Sequence, residues 1–265
     1  MPKGEAHVCV IPSAGGAAEQ VTSGTGNFGE PAWLNDETLL VTGNTSEDAP
    51  LNPLKREIYA IQLDDLSMSI LTNHNGPSHS PIVSQDQSLI AFIGYEDKQK
   101  NHQNNNLYVI NPDGSEVRNL TSGYDRAVES IVWRDQQVIA QVFVDGDIHL
   151  IAFDLKGNRT TLTTNLGGKT IALPYALIDF SVSTQSGALA YTLSSSDKPA
   201  EVGYLKDNVQ HQLTNLNKNI LSSVKLAQVE EISVTSSFDS REIQAWVTLP
   251  PGFEANGSYP LILEI

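Results

Sequence analysis

A single cysteine, Cys9, stands among 265 residues, so no disulfide forms within the chain. Its setting, His7-Val8-Cys9-Val10-Ile11, reads as a strand, and a lone free cysteine in a strand is expected to serve as a small apolar core filler. Cationic residues are also scarce: 16 Lys and Arg stand against 31 Asp and Glu, a formal net charge of −15. A surface of that sign repels phosphate backbones and anionic lipid, which argues against nucleic-acid and membrane-surface partners. No apolar run approaches the roughly 18 residues of a membrane-spanning helix. The opening Met1-Pro2-Lys3-Gly4-Glu5-Ala6-His7 lacks the apolar stretch of a signal peptide. Helical patterning is sparse as well, with a turn or two expected between Asn217 and Leu226.

With hydrophobic residues at 40% and 13 prolines, the chain can build a substantial core, which excludes wholesale disorder. Charged residues make up only 18%, and Asn, Gln, Ser and Thr are plentiful, a balance suited to a loop-rich β protein.

The informative feature is an internal repeat. Four segments share a bulky apolar residue, a short polar turn and an apolar strand. They begin at Pro31-Ala-Trp33, Pro81-Ile-Val83, Ile131-Val-Trp133 and Phe180-Ser-Val182. The anchors Trp33, Val83, Trp133 and Val182 are spaced by 50, 50 and 49 positions. A second set, Leu39, Leu89, Val138 and Leu189, is spaced by 50, 49 and 51. Each segment is followed by a hairpin that ends in Leu-Thr, most clearly Leu107-Tyr-Val-Ile110 through Pro112-Asp113-Gly114 to Leu120-Thr121. There Leu107 and Val109 are expected to face a core from a half-buried strand, with Gly114 supplying the positive φ of a tight turn. A fifth hairpin, from Val8 to Val21-Thr22, opens the chain without a preceding unit.

Four strands per unit of about 50 residues is the pattern of propeller blades. The expected fold class is therefore all-β, a propeller segment of about four to five four-stranded blades over residues 1–228. An interrupted first repeat leads us to expect an internal piece of a longer protein, and bare blade edges would favour self-association.

After residue 228 the period stops. The passage Val229-Glu-Glu-Ile232 through Asp239-Ser-Arg241-Glu-Ile243-Gln-Ala-Trp246-Val-Thr-Leu-Pro250-Pro-Gly-Phe253 to Ser258-Tyr-Pro260-Leu-Ile-Leu-Glu-Ile265 resembles the way prolyl oligopeptidase-family serine peptidases leave their propeller, especially the acylaminoacyl-peptidase and dipeptidyl-peptidase branches. The preceding Pro199-Ala-Glu201-Val202 is similar to their last blade, so the resemblance covers roughly residues 179–265. The earlier blades match only as generic, TolB-like repeats. Asp239-Ser240 departs from the usual Asp-Gly of the family turn.

The resemblance implies that residues 229–265 are the first strands of an α/β-hydrolase domain, with Leu261 to Ile265 a buried strand. It implies a parent enzyme that cleaves short peptides by serine acyl transfer, without a cofactor, its propeller gating access to the active site. No serine in this chain carries glycine on both sides in a Gly-x-Ser-x-Gly elbow, so no catalytic residue is assigned and the segment alone is expected to be inactive. The peptide substrate and the chain's own hydrolase domain are the implied partners, and a bacterial protein, periplasmic or cytoplasmic, is the implied source. A stand-alone TolB-like protein-binding propeller is the alternative.

Several polar groups invite a functional role. Tyr124-Asp125-Arg126 precedes an inner strand, where Arg126 is the candidate to meet a substrate carboxylate; inter-blade bonding is the plainer role. His74, His79 and His102 fall in Asn/Gln/Ser-rich stretches without a carboxylate or thiol at ligand spacing, so they read as loop residues and no metal is expected. Glu230-Glu231 is similar to the acidic pair with which dipeptidyl peptidases hold an amino terminus, but in an exit strand it reads as a solvated edge. Asn44, Asn119, Asn158 and Asn256 fit the glycosylation pattern through turn composition.

Overall fold

The computed structural model describes residues 4–167 and 177–264. The chain begins with a hairpin of β1 (Cys9–Val10) and β2 (Glu19–Gln20). Four antiparallel sheets of four strands follow, each a meander in chain order. Blade 1 holds β3 (Gly29–Trp33), β4 (Thr38–Gly43), β5 (Glu57–Gln62) and β6 (Met68–Ile70). Blade 2 holds β7 (Ser78–Val83), β8 (Ile90–Gly94), β9 (Asn106–Ile110) and β10 (Arg118–Asn119). Blade 3 holds β11 (Val128–Arg134), β12 (Gln137–Val144), β13 (Asp147–Asp154) and β14 (Arg159–Leu166). Blade 4 holds β15 (Phe180–Val182), β16 (Leu189–Ser195), β17 (Lys198–Lys206) and β18 (Val209–Gln212). A single helical turn, α1 (Lys218–Leu221), leads to an exit hairpin of β19 (Gln228–Thr235) and β20 (Glu242–Leu249).

First strands of successive sheets lie side by side, β3 with β7, β7 with β11 and β11 with β15. That is the radial stacking of a propeller, with first strands nearest the axis. Each middle strand of blades 1 to 3 serves two cores because its side chains alternate. On β8, Ile90 and Phe92 pack toward blade 1, while Ala91 and Ile93 pack toward blade 3. On β9, Leu107 and Val109 face blade 3, whereas Tyr108 and Ile110 face blade 1. This corrects the expectation of a half-buried β9: Tyr108 is 8% and Ile110 1% exposed, because a sheet sandwiched between two others has no wet face. Complete burial of one side chain such as Phe92 contributes roughly 1.5–3 kcal/mol.

The recurring Leu-Thr has a specific task. The leucine N–H returns to the second residue of the third strand, Leu71 N to Ile58 O at 2.8 Å and Leu120 N to Leu107 O at 2.8 Å. The threonine hydroxyl then accepts the N–H of that same residue: Thr22 from Val8, Thr72 from Ile58 and Thr121 from Leu107, each at 2.9 Å, and Thr214 from Val202 at 2.8 Å. Its own proton goes to the side chain one position earlier, Glu57, Asn106 or Glu201. The motif thus closes the outer edge of a blade where a last strand of two to four residues stops short. Blade 3 departs from it, since β14 continues through Thr163 to Leu166 and Thr163 instead receives the Gln210 amide of blade 4.

Two local expectations fail. Cys9 lies in a strand but is exposed: Val8 and Val21 take the core-facing positions, which leaves the thiol on the opposite face of a two-stranded ribbon. Residues 261–264 form no strand, and Leu261, Ile262 and Leu263 are 88%, 91% and 76% exposed, because no neighbouring strand of the described chain pairs with them; Ile265 lies outside the described residues.

Candidate functional site

An antiparallel meander sends its second-to-third strand loops and its blade-to-blade connections to the same end of each sheet. The long loops of this chain gather there: 44–56 in blade 1, 95–105 in blade 2 and the short Asp145–Gly146 turn in blade 3. The exit hairpin also touches this end. Gln244 Nε2 donates to Asp145 O at 2.7 Å and to Glu231 Oε1 at 2.6 Å, which ties β20 to blade 3 across 99 positions. Trp246 covers Gly146, whose φ is +83°; a Cβ there would lie 2.3 Å from Trp246 Cζ2. Glycine is therefore required twice at position 146, by the left-handed turn and by the indole on top of it.

Arg126 stands beside this contact. Its Nη2 donates to Asp145 Oδ1 at 3.1 Å, and its Nη1 to Asp125 O at 2.7 Å. The pair is solvent-exposed, so it adds roughly 0–1 kcal/mol and is easily exchanged. Asp125 in turn accepts from Asn104 Nδ2 at 3.1 Å, which links the blade 2–3 connection to the long loop of blade 2. Tyr124 is held against Phe153 with the Arg159 guanidinium 4.6 Å above its ring, and burial pushes its phenol pKa up. Asn104, Tyr124 and Asp125, but not Arg126, border a cavity of ≈ 410 Å³ at the long loop of blade 2 and its connection to blade 3, which Lys98, Lys100 and His102 also line. A second cavity of ≈ 580 Å³, between blades 1 and 2, is lined by Lys55, Glu57, His74 and Asp97.

Nearer the axis, each of the first three inner strands carries a bulge at the same place, between Gly29 and Ala32, His79 and Ile82, and Val128 and Ser130. Glu30 and Ser80 occupy the left-handed region there, with φ of +49° and +53°. The bulge lets Glu30 Oε2 accept Ser80 N from the next blade at 2.9 Å. In β11 it leaves Glu129 outside the paired register, whereas His79 of β7 still pairs with Ile93 just before its bulge. Burial lowers the His79 pKa and raises that of Glu129.

The three histidines are not grouped. His79 is on strand β7 rather than in a loop, and His74, though in a loop, is half-buried and stacked on Tyr108 at 5.7 Å; only His102 is exposed. Among the described residues no set of three His, Cys, Asp or Glu is arranged to hold a metal ion. Glu230 and Glu231 are exposed on β19, and each accepts a glutamine amide, from Gln228 and Gln244 respectively. Three of the four sequon asparagines are used locally: Asn44 bonds Asn52 O, Asn119 accepts Thr121 N, and Asn158 bonds Asp154. The Asp145–Gly146 turn is a hairpin signal in the sequence. Its partnership with Trp246 and Gln244 is not, since nothing local points across such a separation.

No family model matches the chain. Among curated proteins it is similar to dipeptidyl-peptidase 5 of Schizosaccharomyces pombe, 26% identical over 230 residues, or 83% of this chain and 32% of that protein. The chain thus spans about a third of the length of that relative. Such relatives are fungal, so the expected bacterial source is not supported. Among solved structures, acylaminoacyl peptidase of Pyrococcus horikoshii superposes with a TM-score of 0.64 at 20% identity, covering 82% of this chain and 32% of that one. TolB of Acinetobacter baumannii superposes with a TM-score of 0.55 at 14% identity, covering 91% of this chain and 56% of that one.

Proposed function

We propose that this peptidase-like propeller segment of the prolyl oligopeptidase kind belongs to a longer serine peptidase of short peptides, in which it gates access to the active site. The observation that carries this reading is the exit hairpin on the loop-bearing end of blade 3, fixed by Gln244 and Trp246. Residues 1–228 are the propeller part in this reading, and residues 229–265 open the hydrolase part on that same end. Similarity to dipeptidyl-peptidase 5 supports peptides as the substrate class. Acyl transfer by a serine nucleophile would then be supplied by residues outside this chain.

Arg126 is the proposed contact for a peptide carboxylate. It projects on the end that the hydrolase part would cover, and its exposed pair with Asp145 is exchangeable. The gate would act sterically, admitting short extended peptides and refusing folded chains.

The test compares the full-length enzyme with a propeller-deleted version on short chromogenic peptides and on casein. Gating predicts that the full-length enzyme prefers the short substrate and that deletion narrows the difference. Equal digestion of both substrates by the full-length enzyme overturns it. A stand-alone binding propeller of TolB type is the second reading, favoured by the shared fold. A fluorophosphonate probe that labels no serine of the full-length gene product would select it.

A further inference from the structure

The opposite end of the blades carries the turns between first and second strands, and there the repeat is broken. Trp33 and Leu39 are six positions apart, as are Val83 and Leu89, but Trp133 and Val138 are five apart and Val182 and Leu189 seven. A short turn in blade 3 beside a long one in blade 4 leaves a step in the rim. The cavity in that step measures ≈ 250 Å³ and is lined by Val83, Trp133, Arg134, Asp135 and Val182, among others. It lies at the far end of β12 from the Asp145–Gly146 turn, roughly 25 Å away at about 3.3 Å per residue.

The residue after each anchor shows what changed. In blade 1 it is Leu34, 7% exposed, and in blade 2 it is Ser84, 6% exposed. Ser84 closes its own turn, donating to Asp86 Oδ1 at 2.7 Å and accepting Leu89 N at 3.0 Å. In blade 3 the same position is Arg134, which pairs with Gln137 across a turn one residue shorter and carries a long cationic side chain where the other blades have Leu34 and Ser84. Its Nη2 reaches only Gln137 Oε1, at 3.5 Å, and no carboxylate of the described residues lies within ion-pair distance of it. Asp135 follows in the left-handed region, at φ +52°. The apolar wall is fixed in advance, because Trp133 Nε1 donates to Ile82 O of the neighbouring blade at 3.2 Å.

We infer that this cavity is a binding site for a short apolar zwitterion, an amino acid or dipeptide with both termini charged. Arg134 takes the carboxylate through its planar fork. Asp135, adjacent and of opposite sign, takes the ammonium group. Trp133, Val83 and Val182 take the apolar side chain. The volume, ≈ 250 Å³, is on the scale of one or two small residues. The site stands apart from the loop-bearing end and does not rest on the gating reading; it would remain if the chain proved to be a binding propeller.

The experiment measures saturation-transfer NMR and calorimetric binding of Leu-Leu and leucine to the full chain. N-acetylleucine, leucinamide and glycine serve as probes lacking one element each. Saturable binding of Leu-Leu or leucine is expected, weakened about tenfold or more by removing either ligand charge or by Arg134→Gln, as loss of a charge-assisted hydrogen bond implies. Asp135→Asn should weaken leucine but leave N-acetylleucine unchanged, a pattern that general loss of folding does not produce. Absence of saturable binding, or equal binding of leucine, N-acetylleucine and leucinamide, overturns the assignment.

Discussion

Glu57 offers the sharpest test of the physical account. Its carboxyl sits at the start of β5, 5% exposed, with Thr72 Oγ1 donating to Oε2 at 2.5 Å. Burial disfavours the charged form and pushes the pKa from 4.5 to about 7, against smaller lowering contributions from Thr72 and Lys55. The folded value lies above the unfolded one, so the native state holds a proton that the unfolded state releases between about pH 4.5 and 7. The stabilisation from that proton is complete below about pH 4.5, drains as pH rises through this window, and is gone above about pH 7. At 1.36 kcal/mol per unit, the shift corresponds to about 3 kcal/mol. Glu57→Gln keeps an acceptor for Thr72 and removes the titration. The variant should match the parent near pH 4.5 and exceed it by up to about 3 kcal/mol near pH 8. Urea unfolding of both proteins across that range measures the difference, in which all other titrating groups cancel. A difference that stays constant with pH would refute the buried, protonated Glu57.

Phe92→Ala should destabilise the fold by roughly 3–5 kcal/mol in chemical denaturation, because the fully buried ring fills the core between blades 1 and 2. Gly146→Ala should release the exit hairpin while leaving the blades folded: hydrogen exchange in β19 and β20 should rise and Trp246 fluorescence shift to the red, with blade 2 amides unchanged. Arg126→Ala should raise KM of the full-length enzyme for short peptides with little change in kcat, and a kcat effect of equal size would deny the residue a binding role. Thr121→Val should cost roughly 1–3 kcal/mol in thermal or urea unfolding by stranding the buried Leu107 N–H.

Much of the architecture is legible in the sequence because each blade is a local unit. The 50-residue period, the Pro112-Asp113-Gly114 turn and the terminal Leu-Thr specify four-stranded meanders without reference to anything distant. The mixed apolar runs of β8 and β9 are harder to read locally. Whether one face or both is covered depends on the next sheet, which is why Tyr108 and Ile110 look outward in sequence and are buried in the fold. Cys9 fails for the converse reason, since a strand pattern does not say whether a second sheet lies over each face.

The sequence by itself determined the all-β class and the four-stranded blades with their period of about 50 residues. Tertiary structure alone decided that Asp145 and Gly146 receive Gln244 and Trp246, that Glu30 reaches Ser80 in the next blade, and that Arg134 opens into a rim cavity where Leu34 and Ser84 close their turns. The physical reason is range. Strand alternation and turn chemistry act over a few residues, whereas these contacts depend on how sheets stack around an axis and on a one-residue difference in turn length.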